Sequence, residues 1–405
     1  MVKRRRFLWG LGAFSSATSC ALTSRYPTSS LISADSMSDS SQSEAAQVTQ
    51  QKFAVNGTED LRDRAARKGL IFGSFSGLDY DKFAQNSVLQ STFIRECNLI
   101  VAGVYATDTR PDINRFNLSS SDGLAQFAAQ HKLLFRGHPL VWHEANPEWL
   151  KNKLNDPNAS YEEVRNLLVN NVSTIVQRYA GQVHSWDVVN EAIEPGDRRS
   201  DSLRITPWFK RLGPDYIELA FWTAAEADPR ALLVYNDNGL EYDTSYHDQR
   251  RDGVLRLLSD LKSKNVPVKA LGIQAHLNQL DEKGNRRQFN PDKMRSFLQE
   301  VANLGLKILI TELDVTDQSL PADLSQRDRI VAETYGEFLS VVLEQPAVIA
   351  IITWGLSDAH SWLIDFAPRS DGLPVRSLPF DADFNRKLAW NAIAIALDNA
   401  PIRML

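Results

Sequence analysis

Between residues 70 and 358 the chain repeats one unit eight times: a short run rich in β-branched or aromatic residues, then a longer mixed segment. The runs are LIFGSF (70–75), TFIREC (92–97), LLFRGHPLVW (133–142), VHSWDVVNE (183–191), ALLVYNDN (231–238), KALGIQAH (269–276), KILITELD (307–314) and VIAIITWGLSD (348–358). The segments between them carry helical patterns. PDYIELAFWTAAEA at 214–227 has Pro214 near its start and an apolar stripe through Ile217, Ala220, Phe221 and Ala224. DGVLRLLSDLKSK at 252–264 sets Leu255, Leu258 and Leu261 on one side. Strands alternating with helices predict a parallel sheet with crossover helices, and eight such units predict an α/β fold of the closed (β/α)8 TIM barrel type. An open doubly wound sheet is the alternative, but no glycine-rich dinucleotide loop follows the first run.

Polar residues gather at the C-terminal ends of these runs: Glu96, His138, Asn190, Glu191, Asn236, Asp237, Gln274, His276, Glu312, Asp314 and Asp358. That rim is where a barrel keeps its chemistry. Burying carboxylates there unpaired would cost several kcal/mol each, so a barrel with no function would have no reason to collect them. Glu191 and Glu312 end the fourth and seventh runs, which face each other across a closed mouth. Two such carboxylates suit glycosidic bond cleavage, one donating a proton to the leaving oxygen and one, ionised, attacking the anomeric carbon. A gap of about 5–5.5 Å implies retention and about 6.5–9.5 Å inversion.

Asp314 lies two residues beyond Glu312, and His276 two beyond Gln274, so each pair points one way from its strand. An Asp314–His276–Glu312 relay would hold Glu312 ionised and aimed. The same three side chains are the only ones that suggest a metal, and no close histidine pair of the HExxH kind is present. No metal or other cofactor is expected. Trp142, Trp149, Trp354 and Trp362 flank these groups, and indole faces stack on the C–H faces of sugars.

A net charge of -5 over 405 residues gives no reason to expect nucleic acid as a partner. Lys3-Arg4-Arg5-Arg6 before Phe7–Phe14 reads as an export signal over residues 1–22, of the twin-arginine type with Arg4 and Arg5 as the pair. Cys20 is a candidate lipid anchor, and the expected destination is the periplasm or the exterior. Residues 23–58, rich in Ser, Thr, Ala and Gln, read as a disordered tether, leaving 59–405 as the barrel. No apolar stretch has membrane length. A monomer acting on a polysaccharide is expected.

HPLVWH (138–143), WDVVNEA (186–192), GIQAHL (272–277), TELD (311–314), WGLSDAHSW (354–362) and PFDADFNRKLAW (379–390) together resemble the family 10 glycoside hydrolases, the endo-1,4-β-xylanase family, over roughly residues 60–400. The resemblance implies a retaining endo-xylanase with Glu191 as general acid/base and Glu312 as nucleophile. It implies that Asn190 bonds the sugar 2-hydroxyl, that His138 binds the same sugar, and that Gln274 and His276 flank the nucleophile with Asp314 behind the histidine. Asn236 would support the acid/base, Trp354 and Trp362 would wall the glycone side, and Glu96 would bind the next sugar out. Trp142 joins the substrate-binding set. The family usually reads Glu-Asn-x-Met-Lys at the second strand, where this chain has Glu96-Cys97-Asn98-Leu99-Ile100. Ala145 stands for a usual Gln and Asn238 for a usual Tyr. Lost contacts at Cys97, Ile100, Ala145 and Asn238 would admit another β-linked glycan such as β-1,4-glucan. A non-catalytic saccharide-binding barrel would share the tryptophans, but both glutamates are present.

Overall fold

The computed structural model describes residues 51–280 and 284–403. The expected export signal, Cys20 and the tether as far as residue 50 lie outside the described residues. The chain divides into Met1–Ala54 and Val55–Leu405, and the second unit is the barrel. It begins before the expected boundary at 59: Arg64 donates to the carbonyls of Asn56 at 2.8 Å and Glu59 at 2.9 Å.

Among the described residues, nine parallel strands form the barrel wall: β1 Ile71–Phe75, β2 Leu99–Gly103, β3 Leu134–His138, β4 Val183–Asn190, β5 Leu232–Asp237, β6 Ala270–Ile273, β7 His276–Asn278, β8 Lys307–Thr316 and β9 Val348–Thr353. Strand pairing runs β6-β5-β4-β3-β2-β1-β9-β8, and β6 returns to β8, so the sheet closes. β7 also pairs with β8 and continues β6 after a break at Gln274-Ala275. Eight barrel positions therefore hold nine strand pieces. Closure removes every exposed edge, and the crossover helices cover the outer face. Strands buried on both faces read as continuous apolar runs, as in β8, where Ile308 through Val315 are all buried.

The main helices are α1 Leu61–Arg67, α2 Ser87–Glu96, α3 Ser119–Gln130, α4 Tyr161–Arg178, α5 Tyr216–Ala227, α6 Ser245–Ser263, α7 Pro291–Asn303, α8 Leu324–Val342 and α9 Leu388–Asn399. Local chemistry sets their starts. Ser160 and Glu163 make a reciprocal capping box on α4, and Thr244 caps α6. The barrel interior is filled by Leu99, Val101, Val234, Ala270, Leu309, Ala350 and Ile352, with Trp354 lying over them towards the mouth.

The second run is the one element read wrongly. TFIREC is not a strand but the last turns of α2, which begins after Asn86 accepts a hydrogen bond from the Leu89 N–H. Leu89, Thr92, Phe93 and Glu96 are buried, a 3.6-residue spacing that only the whole ten-residue helix displays. The strand is the next run, Leu99–Gly103. Glu96 and Cys97 therefore lie before β2, at the N-terminal face of the barrel. Ile100 is inside the wall, paired with Ser74 and Phe135.

Candidate active site

β4 ends in Asn190, and the backbone turns sharply at Glu191, which adopts a left-handed φ of 57°. The turn is pinned on both sides. The Glu191 N–H donates to the Asn236 carbonyl at 2.9 Å, and the Arg204 Nε donates to the Glu191 carbonyl at 2.8 Å. Residues held in this region without a glycine cluster at functional sites. Across the mouth, Glu312 remains within β8, where the pairing with β9 shifts register between Ile310 and Leu313 and the Glu312 N–H donates to the Gln274 carbonyl at 2.9 Å.

The two carboxylates meet different surroundings. Glu312 Oε1 accepts from Asn236 Nδ2 at 2.7 Å, and its Oε2 lies 3.3 Å from His276 Nε2. His276 Nδ1 faces Asp314 Oδ1 at 3.0 Å, and Asp314 Oδ2 accepts from the Trp362 indole N–H at 2.7 Å. Both His276 nitrogens are thus committed to carboxylates, which leaves no ring lone pair for a metal. Burial disfavours a charged His276, but Asp314 first and then Glu312 outweigh it and hold the imidazole well above its ordinary range. Glu312 therefore faces a cation on one oxygen and an amide on the other.

Glu191 Oε1 accepts from Gln274 Nε2 at 3.0 Å and Asn190 Nδ2 at 3.2 Å. Its Oε2 is buried and has no hydrogen-bond partner among the described residues. Burial pushes this carboxyl up, but His143, Gln274, Arg204 and Trp142 together overcome it and leave Glu191 below the usual glutamate range. Asn190 and Asn236 connect the pair: Asn236 Nδ2 also donates to Asn190 Oδ1 at 2.9 Å, and Thr311 fixes Asn236 by donating to its Oδ1 at 2.7 Å. Two buried glutamates joined through one amide network, each with an orienting amide, suit acid/base and nucleophilic work on an acetal.

Residues 60–396 match the model of glycosyl hydrolase family 10. The chain belongs to that family.

Among the proteins similar to this family 10 member is endo-1,4-β-xylanase B of Thermotoga neapolitana, 32% identical over 341 residues, covering 83% of this chain and 92% of the relative. Endo-1,4-β-xylanase A of the same organism is 34% identical over 291 residues, 69% of this chain, and this match spans only 25% of that longer protein. The crystal structure of xylanase 10B from Thermotoga petrophila in complex with xylobiose superposes with a TM-score of 0.73 at 31% identity, covering 84% of this chain and 98% of that one.

Most of the expected site residues of this family 10 hydrolase converge. Glu191, Glu312, Asn190, Asn236, Gln274, His276 and Asp314 form the network above. His138 joins it through Asp187, its Nδ1 lying 2.8 Å from Asp187 Oδ2 and 3.7 Å from Glu312 Oε1. Trp354 stacks on Phe75 at 4.3 Å and meets His138 edge-on, while Trp362 packs on His276 at 5.0 Å and stacks on Phe366. Trp142 lies beside His143 with its indole N–H buried and unbonded among the described residues. Trp149 is committed elsewhere, donating to the Arg110 carbonyl at 2.9 Å.

Four expectations change. Glu96 is not at the rim: its carboxylate accepts from the Leu61 N–H at 3.2 Å, Trp390 Nε1 at 3.0 Å and Arg386 Nη2 at 2.9 Å. It ties α1, α2 and α9 together far from the mouth and has no oxygen left for a sugar. The Asn236 side chain supports Glu312 rather than Glu191, which it reaches only through its backbone carbonyl. Cys97 caps the helix that precedes β2, and Ile100 is paired within the wall between Leu99 and Val101, which take the interior, so of the four departures only Ala145 and Asn238 remain as candidates near the mouth. Asp358, also expected at the rim, is taken up by Lys387 at 2.8 Å and the Leu378 N–H, and burial pushes its carboxyl up to about 6.

Sequence reasoning missed Tyr105, Asp187, Arg136 and Arg204. Two of these had a signal. Arg136 and His138 are two apart on β3, Ser185 and Asp187 two apart on β4, and the two pairs meet inside the barrel, Arg136 donating to Ser185 at 2.9 Å and pairing with Asp187. Arg204 had none, because it reaches Glu191 from a loop.

Proposed function

We propose that this family 10 hydrolase is a retaining endo-1,4-β-xylanase. The observation that carries the assignment is the asymmetry of the two glutamates. Glu312, flanked by a charged His276, is the nucleophile: it attacks the anomeric carbon as the bond to the leaving oxygen breaks. Glu191, with one oxygen that no described residue bonds, gives that leaving oxygen its proton. A water then loses a proton to Glu191 and attacks the glycosyl ester, which releases a sugar of the original configuration and restores both carboxyl groups. Asn190, His138 and Gln274 surround the sugar at the cleaved bond, and Trp354, Trp362 and Trp142 present faces and an N–H to the chain.

The xylanase relatives and the likeness to a xylanase solved with xylobiose support xylan as substrate. The case for β-1,4-glucan weakens once Cys97 and Ile100 leave the site. We also read the Arg-rich leader as an export signal, which would bring the enzyme to a polymer too large to enter a cell. Xylohexaose and cellohexaose offered side by side, with products followed by NMR, test the assignment. Internal cleavage of xylohexaose with β-configured first products is expected. Glu191→Gln and Glu312→Gln should each lose about 10²–10⁴ of the rate or more. Preference for cellohexaose, or α-configured first products, would reject it.

A further inference from the structure

The rim of β2 holds a residue that nothing in the reaction above uses. β2 ends at Gly103, and two residues on stands Tyr105. A Cβ on Gly103 would lie 2.7 Å from Tyr105 Cε2 and 3.0 Å from Cδ2, so the ring lies back across the strand end. Only glycine leaves that space. His138 meets the ring edge-on at 5.7 Å, and the Trp142 ring lies 6.0 Å away. The backbone is equally fixed: the Tyr105 carbonyl accepts from Asp108 N at 3.0 Å, Thr109 N at 2.9 Å and Thr109 Oγ1 at 2.9 Å.

The Tyr105 hydroxyl makes no hydrogen bond to another described residue, and it is not one of the enclosed side-chain atoms, so on this half-buried side chain it opens to the solvent that a bound sugar would displace. Burial first, and then the charge of Glu312, push the phenol well above its ordinary range, so it keeps its proton through the working pH of any hydrolase. A neutral O–H held rigidly beside a nucleophilic carboxylate, and not bonded to it, is a donor waiting for another acceptor. Sugar hydroxyls at the same end of the cleft supply one.

We propose that Tyr105 is a substrate-contacting, specificity-determining residue whose hydroxyl bonds a ring hydroxyl of the sugar seated against Glu312. The inference rests on the hydrolase reading above and adds a contact that the carboxylates, amides and tryptophans do not provide. The close approach of the ring to Gly103 and the hydrogen bonds on the Tyr105 carbonyl fix where the ring sits, so it selects by position.

The test compares wild type with Tyr105→Phe on an aryl β-xylobioside and on its 2-deoxy and 3-deoxy analogues in the sugar that would contact Glu312. Tyr105→Phe should lower kcat/KM about tenfold or more on the parent compound, at an unchanged melting temperature. For one deoxy analogue, the loss from the missing sugar hydroxyl and the loss from the missing phenol should not add, because they remove the same bond. Unchanged kcat/KM in Tyr105→Phe, or losses that add fully for both analogues, would overturn the inference and leave the ring as a wall. Failure of the wild type to hydrolyse either the xylobioside or xylohexaose would overturn the hydrolase reading, and this contact with it. An active wild type with an indifferent Tyr105→Phe would sink only the contact.

Discussion

Glu191 and Glu312 are the same amino acid made different by their neighbours. The free protein holds Glu191 below the usual glutamate range, whereas the proposed role of Glu191 as acid needs it protonated. In the free protein the acid form is therefore lost early as pH rises. A bound sugar chain displaces water from the cleft and strengthens the repulsion from an ionised Glu312, and both effects raise Glu191. The alkaline limb of kcat/KM, which reports the free enzyme, is expected at lower pH than that of kcat, which reports the complex. Stopped assays on xylohexaose from acid to mildly alkaline pH would show whether the limbs separate in that order; coincident limbs would mean that substrate leaves Glu191 unmoved.

Between elements, the site depends on positions where a side chain is missing. A Cβ on Gly272 of β6 would fall 2.2 Å from Asn236 Oδ1 and 2.9 Å from Thr311 Cγ2. Gly272→Ala should push Asn236 away from Glu312 and lower kcat by about tenfold or more, with about 1–3 kcal/mol of lost stability from overpacking. Parallel kcat and urea-midpoint measurements would check it, and a variant that loses stability alone would show that Asn236 is not needed in place. Such dependence explains what the sequence could and could not reveal. Glu312 with Asp314, and Gln274 with His276, announce themselves because strand period places each pair on one side. WDVVNE announces itself because a carboxylate ends an apolar run. Gly272 and Gly103 carry no such mark, since a glycine's role is the space it leaves for a neighbour from another part of the chain. TFIREC misled because a short run holding Thr, Phe and Ile looks like a strand when the turns before it are not counted, and Glu96 and Cys97 were then carried to the wrong end of the barrel. Tyr105 was hidden by the same error, since it lies just beyond the end of the true strand, Leu99–Gly103.

The whole molecule separates its labour along the barrel axis. The C-terminal mouth holds the unbonded polar atoms of Glu191 and Trp142, whereas the opposite end pairs its charges internally. There Glu96 joins three helices, and the Arg386 guanidinium lies 3.8 Å over the Trp390 ring. Glu96→Gln should cost about 1–3 kcal/mol of stability by weakening charge-assisted bonds. It should leave kcat/KM for xylohexaose unchanged, and a loss of substrate affinity at full stability would place Glu96 back among the sugar-binding residues.

Glu191 combines a left-handed backbone with a buried oxygen that bonds to nothing among the described residues. Asparagine or glycine would sit there with less strain. The fold thus keeps, at its mouth, a residue that its own energetics disfavour. On the proposed mechanism, exchanging Glu191 for either asparagine or glycine would give a more relaxed mouth and lose the chemistry together.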